Sequence, residues 1–459
     1  MTSTLEKFFI DTHKAIENEK LKKQLQQSLS SYKVKNENAL TQFQNVELAK
    51  SRAAAIRQKV IENLDKYLIE FESNFKKHNG SLIWAQNSDD ALTKIEEILI
   101  SENIQSVIKS KSMITEEIGL NEFLKSKNIE SIETDLGEFI QQLSDEAPYH
   151  IVTPCVHKSK EEINQLLSEK LNVSAKLSAE ELTTSVNQHL ENKFNSSTAG
   201  ITGANFLIAD SGSIAITENE GNAFYCVTAP KVHIAITGIE KIIPTANELE
   251  LFWPLLSSFG TGQKMTTYNH IIRGSKKREE KSGPEKFFLI LLDNGRSELL
   301  AKPEQRSALA CIRCGACYNV CPVYKNIGGH AYDFVYGGPI GKVIAPHFSQ
   351  KKDLHHLSHA SSLCGACTEI CPVKSPLHQL MLVNRKQDAN KISSAEKLIW
   401  AAWKKAMLSR KMMDKGGIFA KNTLLYLLFK KPWGKQRDLP KLAEKSFNQI
   451  MRERLKKND

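Results

Sequence analysis

The stretch Cys311-Ile-Arg-Cys314-Gly-Ala-Cys317-Tyr-Asn-Val-Cys321-Pro322 sets four cysteines within eleven residues, as C-x2-C-x2-C-x3-C-P. Forty-two residues later, Cys364-Gly-Ala-Cys367-Thr-Glu-Ile-Cys371-Pro372 repeats the pattern without its first cysteine. Three closely spaced thiolates wrap one face of an iron–sulfur cubane and a distant fourth closes the opposite corner. In two-cluster C-P runs the last cysteine therefore serves the other cluster. That rule puts Cys311, Cys314, Cys317 and Cys371 on one 4Fe-4S cluster and leaves Cys321, Cys364 and Cys367 for a second. Each closing proline fixes φ, removes an N–H and turns the chain away. Gly315 and Gly365, inside the C-x-x-C turns, leave room for a bare N–H to point at sulfur. Zinc usually takes two knuckles separated by a longer loop, and this density of cysteines argues against it.

The second site is one ligand short, because Ser361 stands where a full run would have a cysteine. Three readings stay open. A non-cysteine ligand fills the corner, with Ser361, His359, His356 and His355 nearest. Or the corner is open to water, substrate or a partner protein. Or the site holds a 3Fe-4S cluster. A single histidine in such a stretch is more often a solvated loop residue than a ligand.

Outside the cysteine runs the text changes three times. Residues 1–75 have no proline, are rich in Lys, Glu, Gln, Ala and Leu, and place Ile56, Val60, Leu64, Tyr67 and Leu68 at helical spacing. Residues 76–300 alternate short apolar runs with helical stretches. Expected strands are 106–110, 150–153, 205–209, 213–217, 232–237 and 287–292; expected helices are 90–101 and 160–170. That alternation predicts an α/β domain with a largely parallel sheet. Cys155 and Cys226 fall in strand-like apolar surroundings and read as buried core residues. Residues 301–390 hold the cysteine runs, with helical flanks at 304–309 and 377–383. The long gap between the runs suits an α-helical ferredoxin domain, as in iron–sulfur subunits of flavin-linked dehydrogenases, better than a compact bacterial one.

Residues 391–459 form a basic tail with 18 Lys and Arg against 6 Asp and Glu, whereas the first 390 residues carry 44 against 46. The whole net charge of +10 thus belongs to the tail. Its Leu424–Phe429 run, followed by Lys430, Lys431 and Trp433, suits an anionic membrane surface or an acidic partner. No nucleic-acid reading motif accompanies it. The beginning, Met-Thr-Ser-Thr-Leu-Glu-Lys, has no basic or apolar signal region, and no run approaches the ~18 apolar residues of a membrane span. Cluster-type cysteines call for a reducing compartment, so a cytoplasmic location is expected.

Several stretches together resemble the lactate-utilization protein B family. They are Lys111-Ser112-Met113-Ile-Thr-Glu-Glu, Glu133-Thr134-Asp135-Leu136-Gly137-Glu138-Phe139-Ile140, Gly203-Ala-Asn205-Phe-Leu-Ile-Ala-Asp210-Ser-Gly212-Ser213 and Glu218-Asn219-Glu220-Gly221-Asn222. Tyr336-Gly-Gly-Pro-Ile-Gly341, both cysteine runs and Arg437-Asp-Leu-Pro440 complete the set. The resemblance implies a LUD domain with the fold of ribose-phosphate isomerases and CoA transferases. It also implies two iron–sulfur clusters, the second with three cysteines. The implied role is electron transfer beside two partner proteins in the oxidation of L-lactate to pyruvate.

Within the α/β segment, Gly203, Gly212 and Gly221 permit close backbone approach to an anionic ligand beside Asn205, Asp210, Glu218, Glu220 and Asn222. Lys111 and Ser112 follow an expected strand, where α/β folds commonly bind ligands. The plainer reading is that these are hairpin turns, and Asp210-Ser-Gly212-Ser213 is such a signal. No G-x-G-x-x-G or Walker motif is present, so the hydride acceptor for lactate is expected on a partner, with further proteins as electron donor and acceptor. The competing class is an enzyme in its own right, with an open-iron cluster or the LUD domain acting on a hydroxy acid.

Overall fold

The run Val-His-Ile-Ala-Ile-Thr-Gly is buried at every position, as a strand covered on both faces must be. It is β7 (Val232–Gly238) in a computed structural model that describes every residue except 1–2, 175–176, 350–351, 390–393, 411, 413–416, 434–437 and 459. Arg437 and the first residues of the tail, 391–393, lie outside the described residues, as do the side chains of Lys431 and Trp433. Around β7 runs a six-stranded, wholly parallel sheet of order β1-β10-β7-β4-β2-β3. Its other strands are β1 (Gly80–Ala85), β2 (Ser106–Lys109), β3 (Glu130–Glu133), β4 (Ala199–Gly203) and β10 (Lys286–Leu292). A smaller sheet of order β8-β5-β6-β9 packs beside it, built from β5 (Phe206–Ile208), β6 (Ser213–Glu218), β8 (Ile242–Ile243) and β9 (Tyr268–Ile272).

Four helices precede the sheet: α1 (Thr4–Glu17), α2 (Glu19–Leu40), α3 (Val46–Glu62) and α4 (Leu64–Lys77). Val60, Leu64, Tyr67 and Leu68 are buried as the spacing predicts, in one core with Leu207, Ile214, Phe287 and Leu289 of the two sheets. The helical segment and the α/β segment therefore share a core. The opposite face of the large sheet is covered by the helix Ser88–Ser101, through Ala91, Leu92, Ile95 and Leu99. Gly212 turns the β5–β6 hairpin at φ +58°, and a Cβ there would lie 2.2 Å from the backbone nitrogen of Phe75. The Asp210–Ser213 turn is thus a packing device under α4.

Residues 301–388 are short helices among the described residues: Ala316–Val320, Tyr324–Ile327, Gly338–Phe348, Ala366–Ile370 and Leu377–Asp388, with 3-10 turns at Arg306–Ala310, His330–Tyr332 and His355–His359. Where the sequence predicts a helix at 304–309, the chain forms the 3-10 turn Arg306–Ala310.

One expected strand is absent, and the two lone cysteines meet their expectation only in part. Residues 150–153 are not a strand: the His150 ring accepts from the backbone N–H of Val152 (3.1 Å) and Thr153 (3.2 Å), folding the segment into a turn. Cys226 is buried, but in the helix Asn222–Thr228, and Cys155 is only partly buried, in a turn.

A second unit, Gln387–Asp459, contains the helices Ser394–Leu408, Ile418–Trp433 and Phe447–Asn458. It displays apolar side chains, among them Trp400, Trp403, Phe419 and Leu427. No described helix is long and apolar enough to cross a membrane.

Candidate metal centres

The two cysteine runs fold alike. Each passes through a left-handed residue (Arg313, φ +60°; Leu363, φ +55°) and a left-handed glycine (Gly315, +80°; Gly365, +85°). A one-turn helix follows, ending at the last cysteine. These two helices pack against each other, so the end of each run reaches the cavity of the other. Cys311, Cys314, Cys317 and Cys371 line one small cavity. Cys321, Cys364 and Cys367 line another, together with Ser361 and His378.

The donor set suits an iron–sulfur group. Backbone N–H groups point at sulfur from Arg313 to Cys311 (3.4 Å), from Tyr324 to Cys321 (3.5 Å) and from Ser375 to Cys371 (3.3 Å). Burial, and then the neighbouring thiols, push the Cys314 and Cys317 thiols up and that of Cys371 to about 11. Converging buried thiols of this kind ionise readily only when metal charge is supplied. Cys364 differs: it is exposed, and an N–H from Ala366 lowers its thiol.

Ser361 repeats the geometry of Cys311. Its Oγ accepts from the N–H of Leu363 at 3.2 Å, two residues on, just as Cys311 Sγ accepts from Arg313. His355, His356 and His359 are not among the residues lining that cavity; the His356 ring lies against Phe8, at 5.4 Å between centroids. His378 lines it without having been anticipated, and its Nδ1 is hydrogen-bonded to Thr368 Oγ1 at 2.8 Å.

Lys342 was also not anticipated, because nothing in the Tyr336–Gly341 motif announces a charge beside sulfur. It is fully buried, with Nζ 3.7 Å from Cys321 Sγ. Burial lowers its ammonium; Cys321, Cys367 and Cys317, members of both sets, work the other way.

A buried network of ion pairs in the α/β segment is tied to the cysteine segment by Tyr336 and by Arg313, whose Nη2 lies 3.5 Å from Glu240. Arg296 binds Glu117 at 2.8 and 2.9 Å and Glu240 at 2.7 Å, and Tyr336 Oη donates to Glu117 at 2.7 Å. Burial opposes the charge on Glu240, but Arg296 and Arg313 hold its carboxyl down to about 2. Arg57 of α3, 1% exposed, donates to the carbonyls of Leu309 (3.1 Å) and Ala310 (3.2 Å), just before Cys311, and to those of Glu240 and Ile242.

A third cavity, about 280 Å3, opens between these segments. Lys111, Ser112, Gly203, Asn205, Glu218, Glu220 and Asn222 line it, as the sequence suggests; Asp210, Gly212 and Gly221 do not. Lys241, Glu240 and Arg296 were missed, since they sit in one-turn helices just after strands and carry no motif. Arg313 and Cys314 of the first run complete the wall. Burial, with Arg313 alongside, pushes the Lys241 ammonium down to about 7.

A LUD domain matches residues 68–292 and a 4Fe-4S dicluster domain residues 307–375. Joined in one chain, they define the class: an iron–sulfur protein carrying a LUD domain. The chain is 43% identical over 330 residues to lactate utilization protein B of Bacillus cytotoxicus, covering 72% of this chain and 69% of that one. It is 41% identical over 369 residues to lactate utilization protein B of Bacillus subtilis, covering 80% and 77%. An uncharacterized electron transport protein of Escherichia coli, YkgF, is 38% identical over 410 residues, covering 87% and 86%. This chain belongs to the lactate utilization protein B family.

Proposed function

We propose that this chain is an electron-transfer subunit of a complex that oxidises L-lactate to pyruvate, acting with two other lactate-utilization proteins in the cytoplasm. The observation that carries the reading is the crossing of the cysteine runs, which gathers four cysteines at one cavity and three with a serine at the other. In this reading Cys311, Cys314, Cys317 and Cys371 hold one 4Fe-4S cluster, and Cys321, Cys364 and Cys367 hold the second. Ser361 Oγ closes the fourth corner of the second, supported by its Cys311-like hydrogen bond. Each cluster, when bound, carries one electron, so a pair matches a two-electron donor to a one-electron chain. Residues 1–75 brace the LUD domain of 76–300, the clusters lie in 301–390, and the basic tail of 391–459 docks on an acidic partner or anionic membrane.

The test is iron and sulfide content with EPR on protein purified without oxygen, before and after dithionite. About eight irons and two interacting reduced signals are expected. About seven irons with an oxidised three-iron signal would remove Ser361 from the ligand set. Zinc in place of iron would overturn the electron-transfer reading. With lactate and an artificial acceptor, the chain alone is expected not to turn over.

A further inference from the structure

Electron transfer between two clusters has no use for the 280 Å3 cavity, yet the cavity is built with care. Five adjacent strands of the large sheet, β10, β7, β4, β2 and β3, are followed by Arg296, Lys241, Asn205, Lys111 and Asp135, each of which lines it. The C-terminal edge of a parallel sheet is where α/β folds place ligands, and the seam between two domains is a second favoured location.

Hydrogen-bond donors are left over there. Glu240 gives its Oε2 to Arg296 at 2.7 Å, and its Oε1 faces Arg313 Nη2 at 3.5 Å without accepting a hydrogen bond. Glu117 is committed to Arg296, Asn294 and Tyr336. The Lys241 side chain, on the cavity wall, makes no hydrogen bond or ion pair with a described residue. Arg313, stacked on Tyr336 at 4.5 Å, keeps Nε and Nη1 buried without an acceptor. Asn205 uses its Oδ1 to accept from the N–H of Thr217 at 2.9 Å, while its amide nitrogen donates to no described residue. Donors held in a cavity without acceptors cost free energy that an arriving acceptor returns. A carboxylate matches two cations best. Glu220 and Asp135, also on the wall, offer acceptors for a hydroxyl.

We propose that this cavity binds a small 2-hydroxy or 2-oxo carboxylic acid, its carboxylate held by Lys241 and Arg313 beside Cys314. The choice of acid rests on the lactate-utilization reading; the site itself rests on the geometry. An acid bound there lies against the wall that carries the first cysteine set, so its arrival registers in the signal of a cluster held by that set.

The test titrates full-length, cluster-loaded protein with L-lactate, pyruvate and oxalate by calorimetry without oxygen, with sulfate and glycerol as controls. Saturable binding of at least one acid is expected, weakened at least about tenfold by Lys241→Met and less than about threefold by Lys241→Arg. Asn205→Ala, remote in sequence from the cysteine runs, is expected to weaken it several-fold with iron content unchanged. The bound acid is expected to alter the EPR line shape of the first cluster. No saturable heat with any acid, equal binding of sulfate, or wild-type affinity in both Lys241→Met and Asn205→Ala would overturn the proposal. Iron content and reduction by dithionite on the same samples judge the electron-transfer reading separately. Fully loaded protein that binds no acid sinks only the cavity.

Discussion

Ser361 and Lys342 show what single side chains decide here. Ser361→Ala is expected to lower iron from about eight to about seven per chain and to bring up an oxidised three-iron EPR signal. Ser361→Cys is expected to keep eight and slow iron loss to a chelator. Lys342 places a buried ammonium against Cys321, and positive charge favours the reduced state of a cluster. Lys342→Met is therefore expected to lower the midpoint potential of the second cluster by on the order of 100 mV, read by redox titration with EPR detection. The seven cysteines were legible because their chemistry is written in short-range spacing. Lys342 was not, because it meets sulfur only when two segments about twenty residues apart are folded together. The same holds for Lys241 and Arg296, whose neighbours come from distant strand ends.

At the scale of elements, α3 and β2 each hide a charge that the fold must satisfy. Arg57 serves four backbone carbonyls on two segments. Arg57→Met is expected to cost about 3–5 kcal/mol, read as a lower urea midpoint, because the carbonyls lose their donors. Lys109, at the end of β2, is fully buried against Glu133 (2.7 Å), Glu116 (3.1 Å) and Glu138 (3.8 Å). Burial works against its charge, and the three carboxylates outweigh that and raise its pKa. Glu138 is raised well above the usual carboxylate range, first by burial and then by Glu133. A carboxyl with a raised folded pKa contributes most below its unfolded value, near 4.5, and that contribution fades as pH climbs through the folded one. Lys109→Met removes the cation that offsets this repulsion. Its stability is expected to fall more steeply than that of the wild type between pH 5 and 8, in urea melts across that range. Elements with strong patterns were readable: β7, β10, the Ser88–Ser101 helix and the stripe on α3 and α4. β3 (Glu-Ser-Ile-Glu) and β4 (Ala-Gly-Ile-Thr-Gly) were not, because polar and glycine letters hide strands whose burial is imposed by neighbours. Residues 150–153 misled for the opposite reason, since apolar letters there serve a turn tied by a histidine ring.

For the molecule as a whole, the excess of positive charge is confined to one end of the sequence. The tail holds the entire excess of basic residues, and within its own unit Phe419 and Leu427 are 86% and 73% exposed. Full-length protein is expected to co-sediment with vesicles rich in anionic lipid at low salt and to release above about 0.5 M salt. Retention at high salt would point to apolar insertion instead. The α/β class and the helical cysteine domain were both legible from alternation and spacing. The seam between them, with its ion pairs and its cavity, was not, because no local pattern records which strand ends will face which loop.

The crossing of the cysteine runs also bears on how the molecule is made. A ribosome delivers Cys311 first and Cys371 last of the seven, yet those two line the same cavity. The other cavity waits in turn for Cys364 and Cys367. Neither wall can close while the nascent chain stops short of the second run, so the chain must be translated almost to residue 371 before any metallation machinery finds a finished site.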